Sequence, residues 1–171
     1  MANTMTLIAS STVGSGGASS IDFSSIPSTY TDLCVKLSVR SNNAGTGYQS
    51  INISFNGSSS NKSGRYLIGN GSSASSGSLS TDMFLIYSLQ DAGTTASTFA
   101  SSELYIPNYS SSNYKSSSAD AVTENNATSA GIGMTANLWS NTAAINQITL
   151  TTQSGNFVQY STAYLYGVKS S

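Results

Sequence analysis

The sequence predicts an all-β protein, an antiparallel β-sandwich of jelly-roll type in a single domain, and three observations predict it. Apolar and polar residues alternate with period two along most of the chain. Stretches such as GSGGASS, NGSSSNKSG, GNGSSASSGS, QDAGTT and NYSSSNY recur between the alternating segments and supply turn residues without apolar bulk. No segment sustains a helical period, so about eight to ten short strands have no helices to join them in parallel.

Residues 1–17 pair one β-like run, Thr4 to Val13, with a glycine-rich hinge. This is either an ordinary first strand or an arm that adds to a neighbour's open sheet edge, and residues 18–171 make up the sandwich proper. The clearest strand is Tyr30 to Ser41, where Leu33, Val35, Leu37 and Val39 point one way and Cys34, Lys36, Ser38 and Arg40 the other. Tyr48 to Asn56 repeats the pattern through Ile51, Ile53 and Phe55, then meets Asn56-Gly57, a dipeptide that turns a chain sharply. Arg65 to Ile68, Ser80 to Leu89, Thr98 to Ile106 and Ala119 to Glu124 follow. Gly131 to Trp139 alternates through Ile132, Met134, Ala136 and Leu138, and Ile145 to Thr152 and Gln159 to Val168 close the set.

Only 8% of the 171 residues are charged, against a usual value of about 25%. Disordered chains combine low hydrophobicity with high net charge; this one carries a net charge of −1 and regularly spaced apolar residues, so it is expected to fold. The basic residues Lys36, Arg40, Lys62, Arg65, Lys115 and Lys169 are scattered and form no stripe able to neutralise a run of phosphates, so no nucleic acid is expected as partner. The apolar runs fall far short of the roughly 20 residues of a membrane helix, and MANTMTLIASS has neither a basic start nor an apolar core long enough for an export signal. No membrane partner is expected, and synthesis in the host cytoplasm is. Cys34, the single cysteine, has no internal disulfide partner and is read as a small buried hydrophobe in its strand.

The chain contains no histidine, which removes the commonest general base at neutral pH and the commonest transition-metal ligand. The carboxylates Asp22, Asp32, Asp82, Asp91, Glu103, Asp120 and Glu124 do not pair convincingly in sequence. Asp120 and Glu124, four apart, would stand about 13 Å apart along a strand, too far for a glycosidase pair. The glycine-rich GNGSSASSG lacks the Lys-Ser/Thr and helix start of a phosphate loop. No catalytic residue, metal ligand or cofactor site is expected, and the chain is read as a non-enzyme. The aromatics carry what recognition there is. Trp139 is placed at the core boundary or at a subunit contact, and Tyr109 and Tyr114, in the polar loop IPNYSSSNY, are placed as contacts to a sugar or a neighbouring protein.

Four segments, IDFSSIPSTYTDLCVKLSVRS, INISFNGSSSNKSGRYLIGNG, WSNTAAINQITLTT and NFVQYSTAYLYGV, resemble the small β-sandwich virion proteins of tailed bacteriophages. The shared elements are a Ser-Ile-Pro-x-x-Tyr-x-x-Leu entry at Ser25 to Leu33, an Arg-terminated strand at Arg40, a Phe-Asn-Gly turn at Phe55 to Gly57, and a closing Leu-Tyr-Gly-Val at Leu165 to Val168. The resemblance implies a capsid cement (decoration) protein on the outer surface of the virion, a homotrimer that bridges major capsid protein subunits. The alternative it carries is a receptor- or glycan-binding head of a tail fibre or collar, with a glycan as ligand.

Overall fold

Period-two alternation sorts the chain into strands whose apolar side faces a common interior. The computed structural model describes residues 4–45, 47–126 and 130–169. Within them lie β1 (Met5–Thr12), β2 (Ser20–Phe23), β3 (Asp32–Val39), β4 (Tyr48–Phe55), β5 (Lys62–Gly69), β6 (Ala74–Leu79), β7 (Phe84–Gln90), β8 (Ala100–Ile106), β9 (Lys115–Val122), β10 (Ile132–Trp139), β11 (Ile148–Thr152) and β12 (Thr162–Val168). They form an eight-stranded sheet, β1-β12-β3-β8-β9-β10-β5-β6, and a four-stranded sheet, β2-β11-β4-β7. Every neighbouring pair is antiparallel. The chain passes repeatedly from one layer to the other, for example β3 to β4 to β5 and β10 to β11 to β12, wrapping two sheets around one core as a jelly roll does.

The core is the one the alternation predicts at β3 and β4. Leu33, Val35 and Val39 from the larger sheet and Ile51, Ile53 and Phe55 from the smaller are buried between the layers, with Leu104, Ile106, Ile148, Leu150 and Leu165. Asn56-Gly57 turns the chain, with the Ser58 amide donating to the Phe55 carbonyl at 2.9 Å. Because β4 and β5 belong to different sheets, this turn hands the chain from layer to layer instead of closing a hairpin. The Asn56 side chain also donates to the Ala144 carbonyl (2.8 Å) and accepts from the amides of Asn146 (2.9 Å) and Gln147 (3.1 Å), pinning the segment that leads into β11. The N-terminal segment, from Met5 on, is a strand hydrogen-bonded to β12 of its own chain; residues 1–3 lie outside the described residues.

Three elements depart from the sequence expectation in their existence or extent. β2 is only four residues long, too short for a period to declare itself. β6 lies inside the stretch read as a loop; its sequence, ASSGSL, has one large apolar residue, and it is held by pairing with β5. β9 begins at Lys115, four residues before the expected start, because its inward side is built from Lys115, Ser117, Ala119 and Ala121. Small polar residues hide an inward face as well as apolar ones reveal it. The buried ammonium of Lys115 donates to the carbonyls of Ser111 (2.8 Å) and Asn113, so a lysine closes the loop before its own strand.

The register of β10 is the most consequential departure. Its apolar residues Ile132, Met134, Ala136 and Leu138 point away from the core, while Gly133, Thr135, Asn137 and Trp139 point inward. Polar side chains fix this choice. The Asn137 amide group donates to the Phe84 carbonyl and accepts from the Phe84 amide, both at 3.1 Å, and the Thr135 hydroxyl accepts from the Ile86 amide at 3.2 Å. At Gly133 a Cβ would stand 2.5 Å from the Ile86 side chain and 2.6 Å from its carbonyl oxygen, so only glycine lets β7 approach this closely. A slip of one residue would put the apolar set inside but would break all three bonds and drive a side chain into β7.

Candidate functional site

Turning β10 this way places its apolar side on the outer face of the eight-stranded sheet. Directly opposed residues of an antiparallel sheet share a face, so the register gives this surface row by row. One row runs Ser10, Tyr164, Lys36, Glu103, Asp120, Met134, Leu67, Ser76, across all eight strands. The next pairs Leu7 with Tyr166, Cys34 with Tyr105, and Ala136 with both Ser118 and Arg65. A third pairs Ile132 with both Val122 and Gly69.

The face therefore has three zones. On β9, β10 and β5, Val122, Ile132, Met134 and Leu67 are 42%, 61%, 63% and 53% exposed. Single exposed apolar residues are ordinary, but four adjacent ones on three neighbouring strands form a patch. A shallow depression of about 400 Å³ lies beside it over Ala136 and Ser118, rimmed by Met134, Leu67 and Arg65. At the opposite side, on β1 and β12, Met5, Leu7 and Tyr164 are exposed. Between the two runs a charged band in which the Lys36 ammonium pairs with the Glu103 carboxylate, which raises the lysine's pKa.

Glu103 and Asp120 are cross-strand neighbours, a juxtaposition that sequence spacing does not reveal because 17 positions separate them. Sheet geometry sets their Cβ atoms about 5 Å apart, close enough for two carboxylates to act on one group. The pair stands on the open face of a sheet, Glu103 is committed to Lys36, and the nearby depression lies over Ala136 and Ser118. The remaining carboxylates are engaged in local structure. Asp22 accepts from Thr149, Asp32 from Tyr105 and the Asn108 amide, Asp91 from the amides of Gly47 and Gly93, and Glu124 from those of Asn125 and Asn126. Among the described residues no group of three or more His, Cys, Asp or Glu side chains could hold a metal ion.

The three aromatic residues singled out in the sequence separate. Trp139 is 1% exposed and meets Phe55 edge-on across the two layers, ring centroids 5.8 Å apart. Tyr109 is fully buried, its hydroxyl donating to the Pro27 carbonyl. Of the two places expected for Trp139, it therefore takes the core rather than a subunit contact, and the hydroxyl of Tyr109, expected as a surface contact, is directed into its own chain. Trp139 alternates with, not along, the apolar side of β10, and Tyr109 ties its loop to the Ser-Ile-Pro entry. Tyr114, 60% exposed, is the one of the three at the surface. Sequence reasoning missed Met134, Ile132, Leu67 and Val122 as surface residues; the signal available was the run Gly133, Thr135, Asn137, whose small and polar side chains have a use only against another backbone.

Cys34 has the parity of the outer face yet is 1% exposed, between its cross-strand partners Tyr166 and Tyr105. Burial, followed by the nearby Glu103 charge, pushes its thiol up to about 11. Tyr105 is pushed up to about 12, first by its hydrogen bond to Asp32, and Tyr87 to about 12, first by burial and then by its contact with Tyr48. Each group holds its proton more tightly in the fold than in the unfolded chain. Their contribution to stability is complete below the ordinary thiol and phenol values and is lost as pH rises through the folded ones. Lys115, whose pKa burial lowers, acts in the opposite sense. Thermal midpoints are expected to fall from about pH 9 to about pH 12, with Cys34→Ala flattening the lower part of that window. A midpoint that is level across it would contradict this assignment.

No protein-family model matches the chain, and no curated protein is significantly similar to it.

Proposed function

We propose that this protein is a non-enzymatic structural component of a phage particle, a cement protein that binds assembled major capsid subunits through the outer face of its eight-stranded sheet. The observation that carries the reading is the inverted β10. A strand that turns Ile132 and Met134 to solvent while burying Thr135 and Asn137 forgoes burial of about 1.5–3 kcal/mol for each large apolar side chain. A partner that covers the patch recovers it. The placement on a virion rests on the resemblance of the four segments to phage virion proteins. Binding only to the assembled shell stabilises that shell by mass action, and an apolar patch with few charges makes the contact insensitive to salt.

Purified particles lacking the protein, incubated with it and sedimented, test this directly. The double substitution Ile132→Lys/Met134→Lys, which sets an ammonium at position 134 opposite Asp120 and so adds no like-charge pair across the strands, is expected to weaken binding by about a hundredfold or more, on the order of 3 kcal/mol. Its thermal midpoint should stay near that of the wild type, because both side chains are already in water. Bound protein should survive a rise in salt. Release by moderate salt, or full binding by the double variant, would sink the reading.

Exposed Tyr114 favours the second reading, a glycan- or receptor-binding head of a tail fibre or collar. Specific saccharide binding by the isolated protein that disappears in Tyr114→Ala would decide for it.

A further inference from the structure

We infer that the β6 edge of the larger sheet is a self-association site at which β6 of a second copy adds antiparallel, fusing two eight-stranded sheets about a two-fold axis. The argument begins from how the four sheet edges are finished. An edge strand leaves every second residue's N–H and C=O unpaired, a template for another strand unless something blunts it. β1 is broken by a bulge between Leu7 and Ala9. β2 is four residues long. β7 has a register break opposite Gln49 and Ile51, a left-handed residue at Tyr87 (φ 52°), and side-chain bonds from Asn137 and Thr135 to its backbone. β6 has none of these protections. Its six residues run in unbroken register with β5, none is charged and none is proline. Among the described residues no hydrogen bond from another segment reaches its outer side.

The edge is also firmly built. A Cβ at Gly77 would lie 2.4 to 2.9 Å from the hydroxyl end of the Tyr66 ring, so that ring covers the glycine, and it packs at a steep angle against Phe84 with centroids 5.8 Å apart. An aromatic ring covering an edge glycine holds the strand in the sheet.

A second copy fits this edge in composition, charge and geometry. A two-fold antiparallel ladder centred on Ser76 or Gly77 sets only Ser, Gly, Ala and Leu against one another, so no like charges meet. The nearest charge on a neighbouring strand, Arg65 on β5, would be kept from its symmetry mate by three strand spacings, about 14 Å, beyond the screening length of roughly 8–10 Å. With a net charge of −1 the two chains repel little at long range. The pairing also sets the Leu67 and Met134 patches of both copies on one continuous outer face, separated by the small residues Ala74, Ser76 and Ser78 of the two β6 strands. This joins copies pairwise and does not depend on the particle-binding reading.

Sedimentation velocity of the full chain over roughly a hundredfold range of concentration tests it, beside Ser76→Lys and Ser78→Glu, the latter opposite Arg65, which place a charge on exposed edge positions as natural edges do. The wild type should shift from monomer to dimer, and each variant should weaken dimerisation at least about tenfold. Amide exchange in the wild type should slow at 74–79 as concentration rises, a reading independent of whether the variants keep β6 docked. A monomer at every concentration, a trimer insensitive to both substitutions, or concentration-independent exchange in β6 would overturn the inference. A monomer that still coats particles would remove this site and leave the proposed function standing; a dimer that ignores particles would do the reverse.

Discussion

Replacing Trp139 with alanine is expected to lower the unfolding free energy by about 3–5 kcal/mol. The indole is 1% exposed and bridges the two layers by its edge contact with Phe55, so its removal opens a cavity that neither sheet can close without breaking its ladder. Its indole N–H meets no acceptor among the described residues, so the ring contributes by packing alone. Trp139→Phe, which keeps an aromatic edge against Phe55 and sheds the unmatched donor, should cost only about 1–2 kcal/mol. Denaturant unfolding of both variants measures the difference. Equal losses would mean that the N–H has a partner whose bond matters.

Loss of Arg40 is expected to be nearly as damaging, about 3 kcal/mol, through a different mechanism. Its guanidinium, at the end of the β3 segment, donates to the carbonyls of Thr94 (3.2 Å), Thr95 (3.0 Å) and Thr98 (2.8 Å) and to the hydroxyls of Thr94 and Thr98. One side chain thus satisfies three carbonyls of a loop that has no strand to pair with. Arg40→Lys should recover less than half of the loss, because a single ammonium cannot span acceptors spread over five residues. The discriminating measurement is amide exchange at 94–98, which should accelerate in both variants more than exchange in β3 does. Uniform acceleration would indicate a general loss of stability.

The fold was legible where the interior is apolar. Leu33, Val35, Leu37 and Val39 in β3 and Ile51, Ile53 and Phe55 in β4 announce their inward side by type alone. Legibility fails where the inward residue was chosen for a hydrogen bond or for the absence of a side chain. Lys115 and Ser117 conceal the start of β9, and Gly133, Thr135 and Asn137 make the outward side of β10 look like the core. The same inversion explains why the exposed apolar patch was not visible: a patch assembled from Val122, Ile132, Met134 and Leu67 is a product of register across three strands, and no local window contains it. Arg40 marked the end of a strand in the sequence, but its loop partners lie more than fifty residues away.

The bonds from Asn137 and Thr135 to the backbone of β7 have a mechanical consequence. They bind the two layers along one long side, as a spine binds the covers of a book, whereas at the other side the short β2 lies near β1 with no such stitching among the described residues. Prying the covers apart therefore begins at β1 and β2 and reaches β7 and β10 last. The outward patch is carried on the spine, the part of the molecule that stays shaped longest under load.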